Sequence, residues 1–178
     1  HTFLQHLALD QAGGETALRS EARRLAQERV LSAAEVAALD FAALERFWTS
    51  TIGQAIRAEA ANVRRELPFT ARFSPEELDR LVKPAPGAEA GGEFVIVQGV
   101  ADLVVLRPEE IWLLDFKTDE VAPDAVAVKT DFYRPQLEFY ARALERIFSQ
   151  PVTRRWLHFL ACGETVELQP TAGLSPVR

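Results

Sequence analysis

Asp102, Asp115 and Lys117 are the residues of this sequence whose types and spacing could do chemistry. They sit in a stretch, Gln98 to Lys117, that reads as two β-strands and a turn. Residues 94–106 and 111–116 are rich in Val, Leu, Ile and Phe, as strands are. Arg107-Pro108-Glu109-Glu110 interrupts them, and Pro108 suits a turn. With the turn centred between Pro108 and Glu109, Leu106 faces Ile111. Counting outwards, Asp102 then faces Asp115. Directly opposed residues share a sheet face with Cβ atoms about 5 Å apart. Lys117, two residues beyond Asp115, points to the same side.

The neighbours on both faces are apolar. Val104, Leu106, Ile111 and Leu113 lie on one, Leu103, Val105, Trp112 and Leu114 on the other. That is the pattern of strands covered on both sides. Two carboxylates and a lysine are thus expected at the polar end of a mostly buried hairpin. Opposed like charges destabilise a sheet, and buried unpaired charges are costly. A divalent cation resolves the conflict, since hard oxygen ligands suit Mg²⁺ or Mn²⁺. Lys117 could then orient or help deprotonate an attacking water, or stabilise a phosphoryl oxygen. The alternative is a salt bridge between Lys117 and either aspartate.

Several elements must position these residues. Residues 1–9 have Phe3, Leu4 and Leu7 at helical spacing, and Gly13-Gly14 breaks the chain. A helix is expected over 15–30; its Arg19, Arg23 and Arg24 read as a solvated face rather than a DNA track. Ser32 with Glu35 forms a capping box for a helix over 33–48 with the apolar stripe Val36, Leu39, Leu44, Phe47 and Trp48. A third helix starts at Ser50 or Thr51 and reaches about Asn62. Residues 63–73 read as extended, with Pro68 suggesting an edge or a bulge. Ser74-Pro75-Glu76-Glu77 starts a short helix. Residues 83–92 and 118–130 read as loops; Lys129 is either a phosphate contact or a solvated lysine. The strongest helix runs over 131–149, with Leu137, Tyr140, Leu144 and Ile147 as its stripe. Gln136 and Tyr140, four apart, share one of its faces. Residues 153–161 and 164–168 form a closing hairpin around Cys162-Gly163.

Gly99-x-x-Asp102, then Asp115-Phe-Lys117-Thr-Asp, then Gln136-x-x-x-Tyr140 together resemble the RecB-like nucleases of the PD-(D/E)XK superfamily. The likeness is closest to the C-terminal nuclease domain of the AddA helicase–nucleases and spans His1 to about Glu167. It implies an α/β core with a mixed sheet, an N-terminal helical cluster and one long helix. It implies Mg²⁺- or Mn²⁺-dependent hydrolysis of DNA, most plausibly single-stranded, in double-strand-break repair and recombination. His1, in His-Thr-Phe-Leu-Gln-His-Leu, matches the family histidine that reaches the metal from a helix; a tag remnant or a plain surface histidine is the alternative. The implied ligands are His1, Asp102 and Asp115, with Lys117, Gln136 and Tyr140 completing the catalytic set. Arg65-Glu66-Leu67-Pro68-Phe69 matches the first-strand segment of the family. Glu66 either sits near the metal or pairs with Arg64 or Arg65, and a structural or supporting role is favoured. The implied partners are DNA, a helicase portion of the same parent chain and an AddB-like protein. A relative that keeps the fold as an inert DNA-binding or scaffold module is the alternative, against which Asp102, Asp115 and Lys117 argue.

Composition sets the remaining bounds. The chain has 178 residues, one domain's worth. It is expected to form a single nuclease domain: a helical part over 1–62, a sheet-containing catalytic core over 63–168 and a tail over 169–178. It contains no methionine and opens at His1, so a segment of a longer helicase–nuclease chain is expected. A single cysteine, Cys162, rules out an internal disulfide or a four-cysteine cluster and favours a cytoplasmic setting. No apolar run is long enough for a membrane helix. No phosphate-binding Gly-x-x-x-x-Gly-Lys loop is present. The net charge of −6 is unusual for an independent nucleic-acid binder, but suits a domain fed with DNA by a motor.

Overall fold

A computed structural model describes residues 1–77 and 94–169. The expected loop at 83–92 and almost all of the expected tail lie outside these residues. Five short helices come first: α1 (Thr2–His6), α2 (Glu15–Gln27), α3 (Ala33–Ala37), α4 (Phe41–Thr49) and α5 (Thr51–Ala58). Then follow β1 (Val63–Phe73), β2 (Val95–Leu106), β3 (Ile111–Lys117), the long helix α6 (Val126–Phe148), β4 (Val152–Phe159) and β5 (Glu164–Glu167).

The strands form one mixed sheet in the order β1-β2-β3-β4-β5. β3 and β4 are parallel, joined through α6, and every other neighbouring pair is antiparallel. β3 is central, and all but its last residue are buried, hence its apolar run. Pro68 lies in β1, an edge strand, where its missing N–H is tolerated. One face of the sheet carries Leu103, Val105, Trp112 and Leu114 into the core shared with α1, α2 and α4. The other carries Val104, Ile111 and Leu113 against Leu137, Ala141 and Leu144 of α6. The hairpin is therefore covered on both sides, as its sequence predicts.

Several expected boundaries move. The helix expected over 15–30 stops at Gln27, and Arg29 beyond it turns left-handed, φ 61°. The helix expected over 33–48 divides, because Asp40 starts its own cap: its carboxylate accepts from Ala43 N–H at 2.9 Å. The Ser32–Glu35 capping box forms as expected. The third helix ends at Ala58 and gives way to a 3₁₀ turn, Ala60–Asn62. α6 begins at Val126, inside the expected loop, because the 3₁₀ turn Pro123–Ala125 leads straight into it. It stops where Ser149 turns left-handed, φ 55°, just before Pro151. Ile147 of the expected apolar stripe is exposed, whereas Phe148, the next residue, packs against the core. Among the described residues, no helix is long and apolar enough to cross a membrane.

Candidate active site

The β2–β3 ladder has the expected register, from Leu106 opposite Ile111 to Leu103 opposite Leu114. It stops one residue short of Asp102 and Asp115. There the Asp102 carboxylate takes over a backbone role: its Oδ2 accepts from Phe116 N–H at 2.8 Å. β2 continues along β1 while β3 continues along β4. The two strands part at the aspartates, and the gap opens into a cleft of about 260 Å³. His1, Asp102, Asp115, Lys117, Tyr133, Gln136 and Tyr140 all line it. The six residues expected to form the site, drawn from a chain terminus, two strands and a helix, thus meet in one place.

His1 stands at the N-cap position of α1 without a side-chain capping bond. Its Nδ1 is 3.7 Å from Asp102 Oδ1 and 3.8 Å from Glu66 Oε1. One donor atom from each of these three residues lies within 4.8 Å of the others. Among the described residues, this is the group whose spacing suits a metal ion. Asp115 lies outside it: its Oδ2 is 2.7 Å from Lys117 Nζ. The ion pair that the sequence offers as the alternative to metal ligation is therefore present.

Glu66 joins the site for a local reason. Its neighbours Arg65 and Leu67 pair with Leu103 and Ala101, which sets Glu66 across from Asp102. It has φ 48° within a strand, a left-handed conformation costing roughly 1–3 kcal/mol for a residue other than glycine. Such strain clusters at functional sites. Neither adjacent arginine pairs with it, contrary to one expected alternative. Arg65 donates to the carbonyls of Leu4 and Leu7 and so clamps α1, with His1 at its start, onto β1. Arg64 donates to the carbonyls of Ala61 and Val63. The sequence signal for Glu66 is its place beside Pro68-Phe69 on an edge strand, which does not reveal what it will face.

A relay of contacts fixes Lys117. Its Nζ donates to Gln136 Oε1 at 2.8 Å, and Gln136 Nε2 donates to the Tyr140 hydroxyl at 3.0 Å. Tyr140 packs edge-on against Phe69, with centroids 4.9 Å apart. Phe69 sits across from Gly99. A Cβ on Gly99 would lie 2.6 Å from Phe69 Cζ and 3.1 Å from Tyr140 Cε1. The glycine of Gly99-x-x-Asp102 thus makes room for the rings that hold Gln136 and Lys117. Lys117 Nζ also lies 4.0 Å from the Tyr133 ring centroid. The Tyr133 hydroxyl donates to Asp119 at 2.6 Å, and Lys129 Nζ reaches the same oxygen at 3.0 Å. Tyr133 is a neighbour of the site that sequence reasoning missed, and Asp119, which closes the Asp115-Phe-Lys117-Thr-Asp motif, had no role assigned to it. The spacing Tyr133, Gln136, Tyr140 along one helix face was the available signal.

Burial governs the electrostatics. It pushes the Asp102 carboxyl up to about 7, helped by the charge on Asp115 and opposed by the Phe116 N–H. Burial also raises Asp115, against the pull of Lys117. Asp119 is held low by its bonds from Tyr133 and Lys129, and Tyr133 is raised to about 12 by the same contact.

Comparison with known proteins gives this arrangement a family. Residues 1–171 match the PD-(D/E)XK nuclease superfamily. Over 163 residues the chain is 34% identical to an ATP-dependent helicase/nuclease subunit of Moorella thermoacetica, covering 92% of this chain and 11% of that one. The helicase/nuclease subunits of the same name from Desulforamulus reducens and Desulforudis audaxviator are 32% and 34% identical, covering 94% and 95% of this chain and 13% of each relative. The chain thus spans only a small part of the length of these relatives. A solved structure, "Crystal structure of SSO0001", is a looser likeness, with a TM-score of 0.40 at 14% identity over 93% of this chain and 68% of that one. With the match running through the hairpin, the cleft and the long helix, the chain belongs to the PD-(D/E)XK nuclease superfamily.

Proposed function

We propose that this chain is a metal-dependent deoxyribonuclease domain that hydrolyses phosphodiester bonds, with DNA reaching the cleft single-stranded. In this reading it is the nuclease portion of a cytoplasmic ATP-dependent helicase–nuclease for double-strand-break repair and recombination. The observation that carries it is the meeting of the His1–Glu66–Asp102 donor group with the Lys117–Asp115 pair in one cleft.

The donor set fits Mg²⁺ or Mn²⁺: carboxylate oxygens with one imidazole nitrogen. Three carboxylates, Glu66, Asp102 and Asp115, stand against the single ammonium of Lys117, a negative excess that a divalent cation would balance. His1, Glu66 and Asp102 would hold it, and Asp115 would join them by giving up Lys117. When bound, the cation supplies charge neutralisation at the phosphate and a water acidic enough to act near neutral pH. The chain's own contribution is positioning. Gln136, held by Tyr140, aims the Lys117 ammonium into the cleft. There it donates to a phosphoryl oxygen or orients the attacking water, where a fixed donor outperforms a mobile one. A helicase portion of the parent chain and an AddB-like protein would deliver the strand, so a chain of net charge −6 need not capture DNA unaided.

The Lys117–Asp115 pair also favours a second reading, an inert nuclease-like DNA-binding or scaffold module, because the pair satisfies itself without a metal. Cleavage of a single-stranded oligonucleotide in Mn²⁺ separates the two. The parent should cut, and Asp115→Ala should be inactive yet folded. Mn²⁺ at a hundredfold excess over Kd should add about 2.7 kcal/mol of stability, and Asp102→Asn should remove that gain. Parent-like cleavage by Asp115→Ala would take Asp115 out of the site. A parent that binds Mn²⁺ but never cuts, even when joined to its helicase portion, would favour the inert module.

A further inference from the structure

Phe132 is a large aromatic left 72% exposed on α6, immediately beside the cleft. Its ring packs edge-on against Tyr133, with centroids 5.1 Å apart and planes at 82°. Tyr133 lines the cleft, and its ring lies under Lys117 Nζ at 4.0 Å. Those two steps put the Phe132 ring within about 9 Å of the Lys117 ammonium. Lys129 Nζ stands 5.9 Å from the Phe132 centroid and is paired with Asp119, which also lines the cleft. An exposed aromatic ring packed on a cleft-lining tyrosine, with two lysines close to that pair of rings, suits a polyanion carrying flat, apolar bases. A protein partner would account for the exposed ring but not for its packing on a tyrosine that lines the cleft.

We infer that Phe132 is a stacking platform for an unpaired base of the substrate strand, next to the phosphate held at Lys117. The inference rests on the phosphodiesterase reading and deepens it, because it assigns a structural basis for the choice of single strands. Inside a duplex both faces of each base are covered by its neighbours, so a ring on the protein surface finds nothing to stack on. An unpaired strand offers a free face at every base, whatever its identity. The platform should therefore prefer single strands and be indifferent to sequence.

The test is binding of fluorescently labelled oligothymidylate by anisotropy at low ionic strength in EDTA, against a strand of equal length whose central residues are abasic. The parent should bind the base-bearing strand about tenfold or more tightly. Phe132→Ala should erase the difference, and Phe132→Trp should keep it. The exposed position makes Phe132→Ala a folding-neutral change, which its melting temperature checks. Equal affinity of the parent for the two strands, no measurable affinity for either, or a preference that survives Phe132→Ala overturns the inference. The last result would leave a protein surface as the occupant of that face. Cleavage of the same oligothymidylate by the parent in Mn²⁺ distinguishes this failure from a failure of the hydrolase reading. A parent that cuts both strands equally well is a nuclease without the platform.

Discussion

Arg155–Glu138 and Lys117–Asp115 are ion pairs with the same N···O separation, 2.7 Å, in opposite surroundings. Arg155 on β4 and Glu138 on α6 are both closed in the core and tie the long helix to the sheet. Lys117 and Asp115 share one strand, two residues apart, and face a cleft. The first pair joins two elements and is closed to solvent. The second joins nothing, and its lysine has further contacts to Gln136 and to the Tyr133 ring. Distance alone does not separate a structural pair from a working one. What separates them is whether a third party can reach the charges.

Breaking the core pair should have the largest effect on stability. Arg155→Met removes the partner that Glu138 has on β4, and breaking a buried pair from one side costs about 3–5 kcal/mol. Urea unfolding measures it; a loss below about 1 kcal/mol would mean that the two pairs do not differ as described.

A third buried charge site sharpens the contrast through pH. His158 is almost wholly buried, with Nδ1 2.8 Å from the Thr165 hydroxyl. Burial, then the charge of Arg46, lowers it from 6.5 to about 4. The folded state therefore resists protonation that the unfolded chain accepts. Its contribution is intact above pH 6.5 and is lost as pH falls toward 4, by about 3 kcal/mol in all. The raised carboxyl of Asp102 acts in the opposite sense over part of this range. The measurement is thus the difference in unfolding free energy between parent and His158→Gln at about pH 7.5 and about pH 4.5. That difference should narrow on acidification; a constant difference would refute the assignment.

Breaking the cleft pair should affect chemistry more than fold. In Lys117→Met, single-strand cleavage should drop by about 100-fold or more, the scale for a positioned acid–base or electrostatic group. Mn²⁺ affinity should hold or improve, because an ammonium repels a cation. A protein that unfolds and ignores Mn²⁺ would make Lys117 the counterpart of Arg155, a structural cation.

The smallest effect should come from Gly99→Ala, three contacts away from Lys117. Overpacking against Phe69 and Tyr140 costs about 1–3 kcal/mol. Cleavage should fall roughly tenfold as Gln136 loses its support. Adding Phe69→Leu should restore part of both; cleavage unchanged by Gly99→Ala would break the relay from Gly99 to Lys117.

Much of this site was legible in the chain because it depends on short spacings. A hairpin turn at Pro108-Glu109 sets Leu106 opposite Ile111 and carries the count outwards to the two aspartates. Strand alternation places Lys117 with Asp115, and a helical step of four places Gln136 with Tyr140. These are relations between residues on one element or across one tight turn, where backbone geometry leaves few choices. Tertiary structure decided the rest. It alone brought His1, Glu66 and Asp102 together from three elements far apart in sequence, with Arg65 clamping α1 onto β1. It parted β2 from β3 at the aspartates by giving each strand a different outer neighbour. It turned Asp115 toward Lys117 and left Phe132 bare beside Tyr133. Spacing within an element is set by bond geometry, whereas contacts between elements are set by how their apolar faces pack, which no local pattern records.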